Sequence, residues 1–178
     1  DNGVDPFNIL ALTFTNKAAK EMKSRISTMI GDNGAKSIWM GTFHSIFARI
    51  LRVESEKIGY PSNFTIYDTQ DSKSLIKTIV KELNLDDKLY KPGIVYSRMS
   101  SAKNNLISAR AYLNNTEIMG DDRSTGRPKL GEVYMEYEKR CFLAHAMDFD
   151  DLLFKTNVLL KNHPDVLLKY QEKFKYIL

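Results

Sequence analysis

Five consecutive residues, Thr13-Phe14-Thr15-Asn16-Lys17, bring together hydroxyl and amide side chains, an aromatic ring and a cation. These are the groups that hold a phosphate-linked polymer, with rings taking bases and polar donors taking the backbone. They follow Asn8-Ile9-Leu10-Ala11-Leu12-Thr13-Phe14, a short and nearly continuous apolar run that reads as a buried strand of a parallel sheet. Ligands of open α/β sheets bind beyond the carboxyl ends of the strands. A helix beginning near Asn16, capped by Thr15 or Asn16, would turn its first N–H groups outward, where they suit a phosphate. Lys17, Lys20, Lys23 and Arg25 against Glu21 leave that helix basic. The plainer alternative is that Phe14 is a core residue, Thr15 or Asn16 only a cap, and the lysines a solvated face.

Gly41-Thr42-Phe43-His44-Ser45 repeats the pattern, with a hydroxyl, a ring and polar groups between a strand and a helix. Two such junctions on one sheet edge are harder to dismiss than one. His44 has no second His or Cys at metal-ligand spacing, which argues against a metal centre there. Asp148, Asp150 and Asp151 could together hold Mg²⁺. The spacing fits better with Asp148 as a helix cap and the other two in a first turn, where the helix dipole favours acids. The Tyr134-Met135-Glu136-Tyr137 stretch reads as amphipathic packing.

The elements that must position these groups are legible from periodicity and punctuation. Ala18, Met22, Ile26 and Ile30 line one face of a helix that Gly31 stops. Ser37-Ile38-Trp39-Met40 is a second short strand. Thr42 caps a helix with Ile46, Phe47, Ile50, Leu51 and Ile58 on its apolar face, ended by Gly59 and Pro61. Residues 64–67 are extended, Asp68 caps a helix burying Leu75, Ile76, Ile79, Val80 and Leu83, and Pro92 opens another through about Asn104. Gly120 to Gly131 reads as a loop. Helices follow around Val133, Tyr134, Tyr137 and Phe142, after Asp148, and from Pro164 to about Phe174, and Tyr176-Ile177-Leu178 begins a strand. Strands at both ends with helices between predict an α/β fold, predominantly helical, in which a parallel sheet is interrupted by a helical insertion.

Composition sets the outer bounds. The 178 residues suit one domain or one and a half, and 43% hydrophobic residues suffice for a core. A net charge of +4 permits a polyanionic partner without requiring one. The single cysteine, Cys141, excludes an intramolecular disulfide and suggests a reducing, cytoplasmic setting. No apolar run approaches the length of a membrane span. Both ends look cut, the first lacking Met and the last falling in an apolar run, which suggests a piece of a longer protein.

Taken in order, four blocks carry a family resemblance. ILALTFTNKAAKEMKSRI, from Ile9 to Ile26, resembles motif Ia of the UvrD/PcrA/Rep superfamily 1 DNA helicases. Thr42-Phe43-His44-Ser45 with Arg49-Ile50-Leu51-Arg52 resembles the block that follows it in that family. Ser100-Ser101-Ala102-Lys103-Asn104 resembles a third, and Met147-Asp148-Phe149-Asp150-Asp151-Leu152-Leu153 the DFDDL segment. The ordered set covers essentially the whole chain and is far more specific than TFTN alone.

The resemblance implies a stretch between the Walker A loop and the Walker B acidic pair. Residues 1–42 would belong to a partial RecA-like (P-loop NTPase) domain 1A, 43–171 to the helical insertion 1B, and 172–178 to the return strand. Phe14, Thr15, Asn16, Lys17, Thr42, Phe43 and His44 would face single-stranded DNA, with Lys103 a weaker candidate. Partners would be single-stranded DNA, single-strand/duplex junctions near the nucleoid, and the helicase domains outside this stretch. The longer protein would be an ATP-dependent 3′–5′ helicase using ATP and Mg²⁺. The sequence holds no G-x-x-x-x-G-K-[ST] loop, so this stretch alone is expected to bind and hydrolyse no ATP. A non-catalytic nucleic-acid-binding module, or part of an AddA/RecB-type helicase–nuclease, are the alternatives.

Overall fold

A computed structural model describes residues 3–178. The first half runs β1 (Ile9–Thr13), α1 (Asn16–Ser37), β2 (Trp39–Thr42), α2 (Phe43–Val53), β3 (Thr65–Tyr67), α3 (Thr69–Glu82) and α4 (Pro92–Asn104). The second half runs α5 (Ala109–Leu113), α6 (Thr116–Ser124), α7 (Leu130–Leu143), β4 (Ala146–Asp148), α8 (Phe149–Asn162), α9 (Pro164–Lys173) and β5 (Tyr176–Ile177). The fold is α/β and predominantly helical, as the sequence predicts. Among the described residues no helix is long and apolar enough to cross a membrane.

Two compact units divide the chain: residues 3–62 with 155–178, and residues 63–154. The first holds a parallel sheet in the order β2-β1-β5. β1 is central, which explains its unbroken apolar run: Leu10 and Ala11 are buried. Beyond the β5 ladder, Leu12 N–H donates to the Leu178 carbonyl at 2.8 Å and Leu178 N–H to the Leu10 carbonyl at 2.9 Å. Gly31, expected to stop α1, only kinks it: its backbone turns to φ 78°, ψ 159°, but helical turns resume and reach Ser37. That left-handed φ is the conformation glycine adopts without a Cβ clash.

This unit extends past the divisions expected at residues 42/43 and 171/172. The reason is packing. α2 lies on β1 and β2, burying Ile46, Ile50 and Leu51. α9 reaches the sheet through Tyr170, which meets Trp39 of β2 edge-on with ring centroids 6.4 Å apart. Phe174, just past α9, does the same at 5.2 Å.

The second unit is helical around a two-stranded parallel ladder in which Thr65, Ile66 and Tyr67 of β3 face Ala146, Met147 and Asp148 of β4. β4 was not foreseen, because three residues carry no readable period. α3 begins with a reciprocal cap. Asp68 Oδ1 accepts from the Gln70 and Asp71 N–H groups at 2.7 and 2.8 Å, and Asp71 Oδ2 accepts from Asp68 N–H at 3.1 Å. Ile76, Ile79 and Val80 enter the core with Val95, Met99, Tyr112, Tyr134 and Tyr137, whereas Leu83 stays exposed. Tyr134 and Tyr137 are fully buried, as their packing role requires.

The stretch expected to be a loop from Gly120 to Gly131 is largely helical, with only residues 125–129 outside helix. Two contacts account for the difference. Asn115 caps α6 by accepting from the Glu117 and Ile118 N–H groups, both at 3.1 Å. Asp122 is then drawn inward, accepting from the Tyr112 hydroxyl at 2.6 Å and from Arg98 Nε at 3.2 Å. Composition suggested a turn; a buried acid with two donors makes a helix instead.

Candidate nucleic-acid interface

β1 and β2 run parallel with Thr13 opposite Thr42, so both strands deliver their chains to the same sheet edge at the same level. Each chain then turns into a helix with a threonine cap. Thr15, at φ −120° and ψ 148°, caps α1, its Oγ1 accepting from Ala18 N–H at 3.1 Å. Thr42 caps α2, its Oγ1 accepting from Ser45 N–H at 3.3 Å. The Ser45 hydroxyl donates back to the Thr42 carbonyl at 2.8 Å. Gly41 leaves room for this arrangement: a Cβ there would sit 2.5 Å from Ser45 Oγ.

The side-by-side junctions put Phe14 against Phe43, ring centroids 5.2 Å apart and tilted by 40°. Phe43 in turn meets the edge of Phe47 at 6.1 Å. Phe14 is not a core residue. It is 89% exposed, so the Phe43 contact braces the ring while most of its surface faces water. A large apolar ring held open in this way is costly to leave bare and well suited to stack on a base. Thr15, Asn16 and Lys17 are exposed beside it, Thr42 is buried beneath its cap, and Phe43 and His44 are half-buried. The N–H groups of Asn16 and Lys17 lie in the first turn of α1, where helix geometry supplies no intrahelical acceptor.

The basic face of α1 continues away from this edge through Lys20 and Lys23, which share a shallow surface depression with Ser24, Ser27 and Thr28. Arg25 is partly neutralised by Glu21 one turn earlier. Seven of the eight expected contact residues thus gather at one edge. Phe47 adds a third ring to the row; its spacing four residues after Phe43 is the signal in the sequence that places it there.

Lys103 does not join them. It is 2% exposed and lies in the helical unit, with its Nζ 2.7 Å from Asp148 Oδ2 and 3.0 Å from Asp151 Oδ1. Burial would lower its pKa, but the Asp151 and Asp148 charges override that and hold it well above the ordinary lysine value. An ammonium so enclosed cannot neutralise a phosphate at the surface, which removes Lys103 from the interface.

The same cluster decides the acidic segment. Asp148 Oδ1 accepts from Asp151 N–H at 2.8 Å, and Asp151 Oδ2 from Asp148 N–H at 3.2 Å, a reciprocal cap at the start of α8. Asp148 Oδ2 also accepts from the Tyr137 hydroxyl at 3.0 Å, with Ser72 Oγ a further 2.9 Å from that hydroxyl. Burial and the neighbouring Asp151 raise the Asp148 pKa. These carboxylates are occupied by a lysine, a tyrosine and backbone donors. Among the described residues there is no group of three or more His, Cys, Asp or Glu side chains that could hold a metal ion.

Comparison with known proteins matches the UvrD/REP helicase N-terminal domain to residues 1–178. The chain is 44% identical over 174 residues to the ATP-dependent DNA helicase PcrA of Bacillus subtilis (strain 168), covering 98% of this chain and 23% of that protein. It is 42% identical over 178 residues to the PcrA of Staphylococcus aureus (strain Mu50 / ATCC 700699), and 39% identical over 177 residues to that of Leuconostoc citreum. Each of those matches covers 99% of this chain and 23% of the relative, so the chain spans less than a quarter of the length of these curated relatives. With the match running from its first residue to its last, the chain belongs to the UvrD/REP helicase family.

Proposed function

We propose that this chain supplies the single-strand DNA grip of an ATP-dependent 3′–5′ DNA helicase. The observation that carries the reading is the exposed Phe14 ring, braced by Phe43 between two capped helix starts at one sheet edge. Phe14 stacks on a base. Thr15, Asn16, Lys17 and His44 position the backbone, while Thr42 and Phe43 hold the geometry. The sheet unit corresponds to part of a RecA-like domain and residues 63–154 to its helical insertion, which serves single-strand/duplex junctions. The relatives named above are ATP-dependent DNA helicases, which supports DNA as the substrate; a cytoplasmic setting at the nucleoid is part of the proposal.

ATP and Mg²⁺ serve the whole helicase. The described residues do not fit that group: the Asp148–Asp151 pair is taken up by Lys103, and no phosphate-binding glycine loop occurs in the sequence. No step of nucleotide chemistry is assigned to this chain.

The test is binding of a labelled oligo-dT strand, followed by fluorescence anisotropy across a salt series. Affinity should fall steeply with salt, because each neutralised phosphate of a single strand contributes about −0.7 to the logarithmic slope. Absence of salt-sensitive binding to both single-stranded and forked DNA would sink the proposal.

A further inference from the structure

Away from the carboxyl edge, the sheet unit gathers three cations around one buried aromatic group. Arg49 of α2 lies with its Cζ 3.7 Å from the centroid of the Trp39 ring. The Lys173 Nζ approaches the same ring at 4.2 Å and Phe174 at 5.7 Å. Lys169, one turn earlier on α9, reaches Glu54 at 2.6 Å, and Tyr170 donates to the same Glu54 oxygen at 3.2 Å. Glu54 is therefore committed to Lys169 and Tyr170. Among the described residues, neither Arg49 nor Lys173 has a carboxylate within ion-pairing distance.

Two like charges on one ring, without a counter-ion, repel. Lys173 registers this: its pKa is lowered by partial burial and by the charges of Arg49 and Lys169. The ring attracts both cations and holds them in place, while the guanidinium edge keeps its donors free for a planar or tetrahedral anion. Trp39 itself is only 7% exposed and offers no free face for stacking. The ligand is accordingly an anionic group and not a base.

We infer that Arg49 and Lys173, held over Trp39, form a second polyanion subsite that takes a backbone phosphate of a nucleic-acid strand. The inference rests on the DNA-binding reading above and extends it. What favours nucleic acid is continuity: Arg49 stands on the helix whose first residues are Phe43 and His44, six residues on and so about 9 Å along the axis. A strand gripped at the sheet edge has the length to reach Arg49 within a nucleotide or two.

Trp39 is the one tryptophan of the chain, which makes it a reporter of the subsite. Intrinsic fluorescence is followed while the 178-residue chain is titrated with oligo-dT, and separately with poly-glutamate. Arg49→Gln/Lys173→Gln is compared with the charge-preserving Arg49→Lys/Lys173→Arg and with Phe14→Ala, each checked for folding by circular dichroism. Oligo-dT should change the Trp39 signal. The neutralised pair should reduce the salt slope of binding by about 0.7, for the one phosphate the pair takes, and the charge-preserving pair should retain it. Phe14→Ala should weaken binding with the slope unchanged. If Phe14→Ala weakens binding but the neutralised pair leaves affinity and slope intact, the subsite is wrong and the DNA-binding reading stands. If oligo-dT binds nowhere, both fall. A Trp39 response to poly-glutamate and none to oligo-dT also overturns the inference, assigning the patch to an acidic polypeptide.

Discussion

Phe14 and Phe43 are 29 residues apart in sequence and 5.2 Å apart between ring centroids. The pairing of Thr13 with Thr42 across two parallel strands accounts for the proximity, since each phenylalanine is the next residue along its chain. One ring is nearly bare and the other half-buried, so the pair acts as a platform with a fixed base and an open top.

Phe14→Ala should therefore weaken single-strand binding by roughly 1–3 kcal/mol for the stacked base while leaving the fold intact. Phe43→Ala should weaken it as well, by freeing Phe14 to rotate. In a double-mutant cycle the two losses should be less than additive, with a coupling of about 0.5–1.5 kcal/mol for an aromatic pair. Affinities of the two single variants and the double variant give the answer. Strict additivity would mean that Phe43 does not brace Phe14.

Lys103→Met should destabilise the helical unit by about 3–5 kcal/mol, because it strands two buried carboxylates without their counter-ion. Urea denaturation of the variant measures this. Adding Asp148→Asn and Asp151→Asn should recover most of the loss, since asparagine still caps a helix and carries no charge. The recovery separates electrostatics from packing: if the triple variant is as unstable as the single one, the lysine stem and not its charge is what matters.

Alkaline pH should loosen the same unit. Burial pushes the Cys141 thiol from its ordinary 9.0 up to about 12. A pKa raised in the folded state favours the protonated form there. Its contribution is fully present below about pH 9 and is lost as pH climbs toward 12. Lys103, also raised, loses its contribution at still more alkaline pH than an ordinary lysine. Stability measured by urea titration should be flat with respect to these groups at neutral pH and decline above about pH 9. Cys141 should react with an aromatic disulfide far more slowly in the folded chain than in denaturant at pH 8. Equal rates would show that the thiol is not enclosed.

The sequence by itself determined what lies close along the chain. Thr15, Thr42 and Asp68 cap the helices they were expected to cap, and Pro92 and Pro164 open theirs. Each of these depends on one side chain meeting backbone within a few residues, so spacing alone reveals it. The four family blocks were legible for the same reason, as ordered local patterns. Only the tertiary structure decided whether a given polar or aromatic group faces water or another group. Phe14 could have been core, and a register of Thr13 with Thr42 leaves it braced and bare. Lys103 could have met DNA, and carboxylates 45 and 48 positions later enclose it. Asp122 turned an expected loop into a helix by reaching Arg98 and Tyr112. Strand register and buried ion pairs join residues far apart in sequence, and no local period or spacing encodes which distant partner will be there.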